Sequence, residues 1–362
     1  MDGPMRLRVR DIQARPVVGP LATPVRTASG SVTQALLVLI DLHTEEGPVG
    51  RAYLFAYQPF ALRPLRDLVL GLGETLKGQS VAPVELHRAL RGRLTLFGTR
   101  GLQGMAVAGI DMAAWDALAV TAGVPLVTLL GGEARPIPAY NSLGMLPPGE
   151  AADEAAKTVA AGFRGFKIKV GWPSLEEDLA AVRAARRALP DDVALMVDFN
   201  QSLSVPEALR RGRALEGEGV AWIEEPVRGE DFRGAAEVAA ALATPIQIGE
   251  NFSGPFEMDE ALRAKAADLV MPDVQQIGGV TGWLRAAALA HTAGVPCSSH
   301  LFIEASAHLL AVTPTCHWIE YLDVAAPVLM EPLRPVDGTL RAPSRPGLGL
   351  MWDEAAVRRY LV

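Results

Sequence analysis

The sequence predicts an α/β protein, a (β/α) barrel preceded by a smaller α+β region. Three observations carry that prediction. From about residue 135, short runs rich in Val and Ile alternate with Ala-rich helical segments. Before that point strands and helices mix without such a rhythm. The later apolar runs each end in a polar residue, one after another. Strand, helix, strand at this spacing implies right-handed crossovers and a parallel sheet. Seven or eight such units fit a closed barrel better than an open sheet. With 362 residues, 49% of them hydrophobic, the chain is too long for one ordinary core.

Taken in order, "LRVRDIQARPV" and "ALLVLIDLHTEEGPVGRAYLF" read as strands, the second a hairpin turning near Glu46 and Gly47. Between them "LATPVRTASGSV" reads as a loop carrying Thr23 and Arg26. Amphipathic helical patterns follow near 60–74, 83–94 and 102–122. The most apolar long run, "GMAVAGIDMAAWDALAV", contains Asp111 and Asp116 and reads as a buried helix, not a membrane span. The barrel strands are "FRGFKIKV", "DVALMVDFN", "GVAWIEEP", "TPIQIGE", "ADLVMPD", "GVPCSS" and "CHWIE". Helices such as "SLEEDLAAVRAARRAL", "VPEALRRGRALEGE" and "GWLRAAALAHTAG" lie between them. From about 326, "RPVDGTLRAPSRPGLG" and a short terminal helix read as a hairpin and tail returning to the first region. The expected divisions are 1–133, 134–325 and 326–362.

The formal net charge is −7, and Lys and Arg are scattered, so no nucleic-acid partner is expected. Two cysteines, Cys297 and Cys316, suggest no disulfide framework and fit a reducing cytoplasm. "MDGPMRLRVRD" lacks an apolar signal core. A cytoplasmic protein without a membrane partner is the expectation.

The strand ends carry the chemistry. In "FRGFKIKVGW", Lys167 and Lys169 share one face, and Phe166, Ile168 and Val170 the other. Barrel strands are covered outside and packed inside, so charges on them belong at the C-terminal mouth. Asp198, Glu224 and Glu250 end three consecutive strands. Gathered together they would repel unless a cation sat among them, and hard oxygen ligands suit Mg²⁺, with Mn²⁺ as a substitute. Pairing with arginines or helix capping is the plainer alternative. In "WIEEP", alternation puts Glu224 with Trp222 and turns Glu225 away. Lys169 and His300 are candidate bases, with Asp273 orienting the imidazole. Lys167 beside Lys169 is expected to lower the lysine pKa. Glu320 is read either as a neutral acid with a pKa raised by burial or as a plain salt-bridge partner.

These residues in this order, within "KIKVG", "MVDFNQSL", "WIEEP", "GENFSGP", "MPDVQQIGGVTGW", "SSHLF" and "HWIEYLD", resemble the enolase superfamily, and within it the mandelate racemase subgroup. "YLFAY" and "GIDMAAWDAL" extend the resemblance into the first region. It implies an α+β capping domain on a modified (β/α)8-type TIM barrel with one Mg²⁺. It implies Asp198, Glu224 and Glu250 as metal ligands, and Lys169 and the His300–Asp273 pair as two bases. It further implies Lys167 and Ser142 on the substrate carboxylate, Asn200 on the α-hydroxyl or enolic oxygen, and Glu320 donating to the forming enediolate. A homo-oligomer, such as an octamer, is implied as well.

Val25, Val32, Phe55, Tyr57, Leu301 and Leu322 would form an apolar wall suited to an aromatic ring, unless several merely fill the first core. Arg26 would meet a second acid or sugar hydroxyls, or face solvent. The function this supports is racemisation of mandelate or a similar aromatic or apolar 2-hydroxy acid. Acid-sugar dehydration is the alternative, and non-catalytic binding of small acids a weaker third.

Overall fold

The computed structural model describes residues 7–28 and 30–362, with the side chains of Ala22 and Thr23 left aside. Residues 1–6 and the Thr23 side chain, both weighed above, therefore lie outside the described residues.

Three antiparallel strands, β1 (Val9–Thr27), β2 (Gly30–Thr44) and β3 (Val49–Phe55), form the first sheet in that order. Residues 21–27 and 30–32 are strand, not loop. They form the outer end of the β1–β2 hairpin, with Val25 opposite Val32 and Thr27 opposite Gly30 beyond an irregularity after Pro20. Pro20 and Pro24 hide the strand pattern in the sequence, because proline cannot donate to a ladder. Helices α1 (Pro59–Glu74), α2 (Pro83–Arg93) and α3 (Leu102–Ala122) lie within the ranges their periodicity predicts, give or take a residue. The α3 helix packs flush on the sheet. A Cβ on Gly109 would come within 2.5 Å of Ile40, and one on Gly50 within 1.9 Å of the Ala113 carbonyl. A short helix, α4 (Leu126–Leu129), leads out.

Eight parallel strands close into a barrel. They are β4 (Ile137–Met145), β5 (Gly165–Lys169), β6 (Ala194–Asp198), β7 (Val220–Glu224), β8 (Ile246–Ile248), β9 (Leu269–Val270), β10 (Cys297–Ser299) and β11 (Cys316–Tyr321). Helices α5 (Pro148–Ala160), α6 (Leu175–Ala188), α7 (Val205–Leu215), α8 (Phe232–Ala241), α9 (Pro255–Arg263), α10 (Gly279–Ala293) and α11 (Ile303–Ala311) alternate with them. The sequence pattern does not single out β4, since "IPAYNSLGM" mixes polar residues into its alternation. After β11 the chain adds β12 (Thr339–Leu340), antiparallel on β4, and α12 (Glu354–Tyr360).

Buried acids join the parts. Asp111 of α3 accepts from the Thr281 amide at 2.9 Å and from its hydroxyl at 2.5 Å. Asp116 accepts from the amides of Arg51 and Leu348. Trp352 in the tail donates to Asp41 of β2 at 2.8 Å. These bonds account for two aspartates in a helix otherwise apolar enough to cross a bilayer. They also bring the tail back to the first sheet.

Candidate active site

Strand alternation builds the site in tiers. Phe166, Ile168 and Val170 join the main core, while Lys167 and Lys169 lie on the opposite face of β5. Low in the barrel, Tyr140, Met196 and Trp222 form a small apolar cluster. Above it Glu224 accepts from the Trp222 indole at 3.2 Å and from Gln247 at 3.0 Å. Lys167, fully buried, pairs with Glu224 and, at 2.8 Å, with Glu320. At the mouth, Lys169 Nζ lies 2.5 Å from Asp198.

Asp198, Glu224 and Glu250 each offer a carboxylate oxygen, all within 4.8 Å of one another. The second acid of "WIEEP" turns away, as alternation predicts. Glu225 accepts from the Gly249 amide at 3.3 Å and from Asn251 at 3.0 Å. The three clustered acids suit a divalent cation: the donors are all hard oxygens, and Glu250 Oε2 is buried with no hydrogen bond among the described residues, His300 Nε2 standing 3.4 Å away. Burial, with Asp198, Glu320 and Glu250 close by, raises the Glu224 carboxyl to about 7 despite Lys167. That is the strain of gathered carboxylates that a cation relieves.

His300 enters from beyond β10. Its Nδ1 is 2.7 Å from Asp273 Oδ2, and its Nε2 faces Glu250 at 3.4 Å and Glu320 at 3.8 Å. Burial opposes its charge, but Glu250, Glu320 and Asp273 together raise it to about 10. Asp273 Oδ1 is itself fixed by the Gln275 amide at 2.7 Å. Lys169 on β5 and His300 after β10 thus flank the strands that carry the acids. Both line one cavity of about 240 Å³. Val25, Val32, Phe55, Tyr57, Leu301 and Leu322 line it as well, together with Asn200 and Glu250. Asn200 donates to Asp198 Oδ2 at 3.0 Å, and its own Oδ1 is buried without a donor.

One expectation changes, and one of two alternatives is chosen. Neither lysine is depressed: burial would lower them, but Glu224 and Glu320 hold Lys167 well above its ordinary value, and Asp198 raises Lys169. The like-charge pair is outweighed by the acids around it. Of the two readings of Glu320, the salt bridge is the one formed, with Lys167 at 2.8 Å. Burial would raise the Glu320 carboxyl, yet Lys167 and His300 hold it well below the usual carboxylate range, and it accepts from the Leu301 amide at 3.1 Å. Ser142, in register with Lys167, lines a cavity that adjoins the one holding Asn200 and His300 and shares Leu21 and Leu322 with it. Arg26 is exposed, as the solvent-facing alternative has it, and does not line the cavity. Its guanidinium sits 4.9 Å over the Trp172 ring.

Sequence patterning misses Gln275. Its amide accepts from the Phe55 N–H at 3.0 Å and donates to the Phe55 carbonyl at 3.3 Å. This holds the cap strand against the loop that carries Asp273. A partner 220 positions away leaves no local signal. Tyr57, assigned only to the wall, also brings its hydroxyl to 3.4 Å from Asp273 Oδ2.

This geometry can remove or deliver a proton on either face of a small acid held at a cation. Residues 150–356 match the "Enolase C-terminal domain-like" family, and 10–131 match the "Mandelate racemase / muconate lactonizing enzyme, N-terminal domain" family. The chain belongs to the enolase superfamily. A superfamily structure from Bradyrhizobium, an enolase complexed with magnesium and mandelic acid, is 46% identical with a TM-score of 0.96, covering 99% of this chain and 100% of that one. L-talarate/galactarate dehydratase of Salmonella typhimurium strain LT2 is 31% identical over 94% of this chain and 87% of its own. D-galactarolactone cycloisomerase of Agrobacterium fabrum is 32% identical over 94% and 95%. As in the superfamily structures solved with magnesium, the cofactor is Mg²⁺, and the acid cluster is where this chain can hold it.

Proposed function

We propose that the protein abstracts the α-proton of a 2-hydroxy carboxylate and returns it to the opposite face, racemising an aromatic or apolar acid such as mandelate. The observation that carries this reading is the placement of Lys169 and His300 on either flank of the acid cluster, both reaching one cavity. Asp198, Glu224 and Glu250 would hold the ion. Bound Mg²⁺ supplies positive charge against the second negative charge that builds on the carboxylate as the proton leaves. Lys169 Nζ serves one face and His300 Nε2 the other. Asp273 keeps the His300 Nδ1 side occupied, so that Nε2 faces the cavity. Lys169 must be neutral to accept a proton; Asp198, the largest of the groups that raise it, is an acid whose charge a bound cation would offset. Asn200 can bond the α-hydroxyl. Phe55, Tyr57, Leu301 and Leu322 exclude water.

Water loss is the second reading, and the curated relatives support it better than they support racemisation of mandelate, being a dehydratase and a cycloisomerase. Both reactions begin with the same proton transfer. What favours returning the proton is the lining: an acid sugar would present several hydroxyls to Val25, Val32, Leu301 and Leu322. Arg26, the residue the sequence offers to a second acid, is stacked on Trp172 and does not line the cavity.

NMR in D₂O with Mg²⁺ decides between them. Racemisation predicts α-deuterium incorporation into both enantiomers of mandelate, stopped by EDTA. Keto-acid formation from an acid-sugar library, with mandelate inert, would replace this reading by dehydration.

A further inference from the structure

Beside the active-site cavity lies a second one, of about 380 Å³, for which the proton chemistry has no use. Leu21 and Leu322 stand in the walls of both. Past that pair polar side chains stand among an apolar lining that includes Pro20, Leu143 and Pro327. Tyr321, Asp323, Arg334 and Tyr360 face the second space. Arg334 Nη1 donates to the Tyr321 hydroxyl at 2.7 Å and to Asp323 Oδ2 at 2.5 Å. Asp323 is held in turn by the Ala326 amide on Oδ1 at 2.8 Å.

We infer that this cavity is a distal subsite of the same binding site, taking an uncharged, hydroxyl-bearing tail of a 2-hydroxy monoacid. The inference rests on the α-proton reading for what occupies the first cavity. Charge sets the ligand class. Arg334 is already paired with Asp323, so a second carboxylate would meet that acid's repulsion along with the guanidinium's attraction. A hydroxyl meets no such repulsion. It can accept from the remaining guanidinium N–H groups and donate to a carboxylate or phenolic oxygen. Leu21 and Leu322, in the walls of both cavities, set an apolar border between the acid-binding end and Tyr321, Asp323 and Arg334, which suits a ring with its polar group at the far side.

The test is calorimetry in Mg²⁺ with three probes: mandelate, mandelate with a para hydroxyethoxy group, and mandelate with a para carboxymethoxy group. Ala326→Trp fills the second cavity, and Arg334→Gln removes its guanidinium; neither residue lines the first cavity. On the unaltered protein the hydroxyethoxy acid should bind at least as tightly as mandelate, and the carboxymethoxy acid about tenfold more weakly. Each variant should weaken the hydroxyethoxy acid about tenfold while mandelate stays within about twofold. If Ala326→Trp does not fold, Arg334→Gln alone carries the comparison. Identical affinities across proteins, tightest binding by the carboxymethoxy acid, or no binding by any probe would each overturn the subsite. Deuterium exchange of mandelate is run alongside. Its absence, with variant-sensitive binding retained, counts against the catalytic reading and leaves the subsite standing.

Discussion

At the residue scale, the site separates groups that hold charge from groups that move protons. Lys167 lies beneath the mouth, between Glu224 and Glu320, and does not line the cavity. Lys169 and His300 do. Lys169→Ala should therefore still exchange the α-proton of one mandelate enantiomer, and His300→Asn that of the other, as read by NMR in D₂O. Equal loss of both enantiomers in either variant would rule out two bases. Glu250 Oε2, in the acid cluster, makes no hydrogen bond among the described residues. Mg²⁺ at about 100 times its dissociation constant should stabilise the protein by about 2.7 kcal/mol. Glu250→Gln should remove most of the resulting rise in Tm. A rise equal to that of the unaltered protein would place the ion elsewhere.

At the element scale, the outer β1–β2 hairpin roofs the cavity through Val25, Thr27 and Val32. Its grip on the barrel has two parts. Arg26 stacks on Trp172 just past β5, and the Arg26 backbone lies on Gly144 of β4, where a Cβ would meet Arg26 N at 2.5 Å and its carbonyl oxygen at 2.7 Å. The stacking is worth about 0.5–1 kcal/mol at an exposed site. Trp172→Ala should therefore speed limited proteolysis within 21–32 only a few-fold. Gly144→Ala should speed it more, because backbone cannot yield as a flexible side chain does. The reverse order would mean that the stacked pair, and not the backbone seat, holds the roof.

For the whole molecule, the ties between cap, barrel and tail run through buried acids, which makes assembly sensitive to pH. Burial raises Asp111 and Asp116 from 3.8 to about 7, against the hydrogen bonds they accept. The sign follows from the raised value. Their contribution is complete below about pH 4 and is lost as pH rises through about 7, each tenfold difference in proton affinity between folded and unfolded chain being worth about 1.4 kcal/mol. Asp111→Asn should flatten the decline in chemical-denaturation stability between those limits. A variant whose pH profile parallels the unaltered protein would show that Asp111 is ionised throughout.

Much of this was legible in the chain. Helices at 60–74, 83–94 and 102–122 follow from periodicity, and the barrel from the strand–helix rhythm, because both patterns repeat locally. The charged strand ends were legible for the same reason: alternation fixes which residues share a face, and Glu224 over Glu225 followed from it. The sign of charge effects was not legible. Lys167 next to Lys169 predicts depressed lysines, but the acids of β6, β7 and β11 surround them and reverse the outcome. Nor could sequence spacing supply the Gln275–Phe55 clamp, the Arg26–Trp172 stack or the chamber behind Leu322. Residue order determines periodicity and facing. Energies of charge and contact depend on distance in space, and only barrel closure brings residues from separate strands within that range.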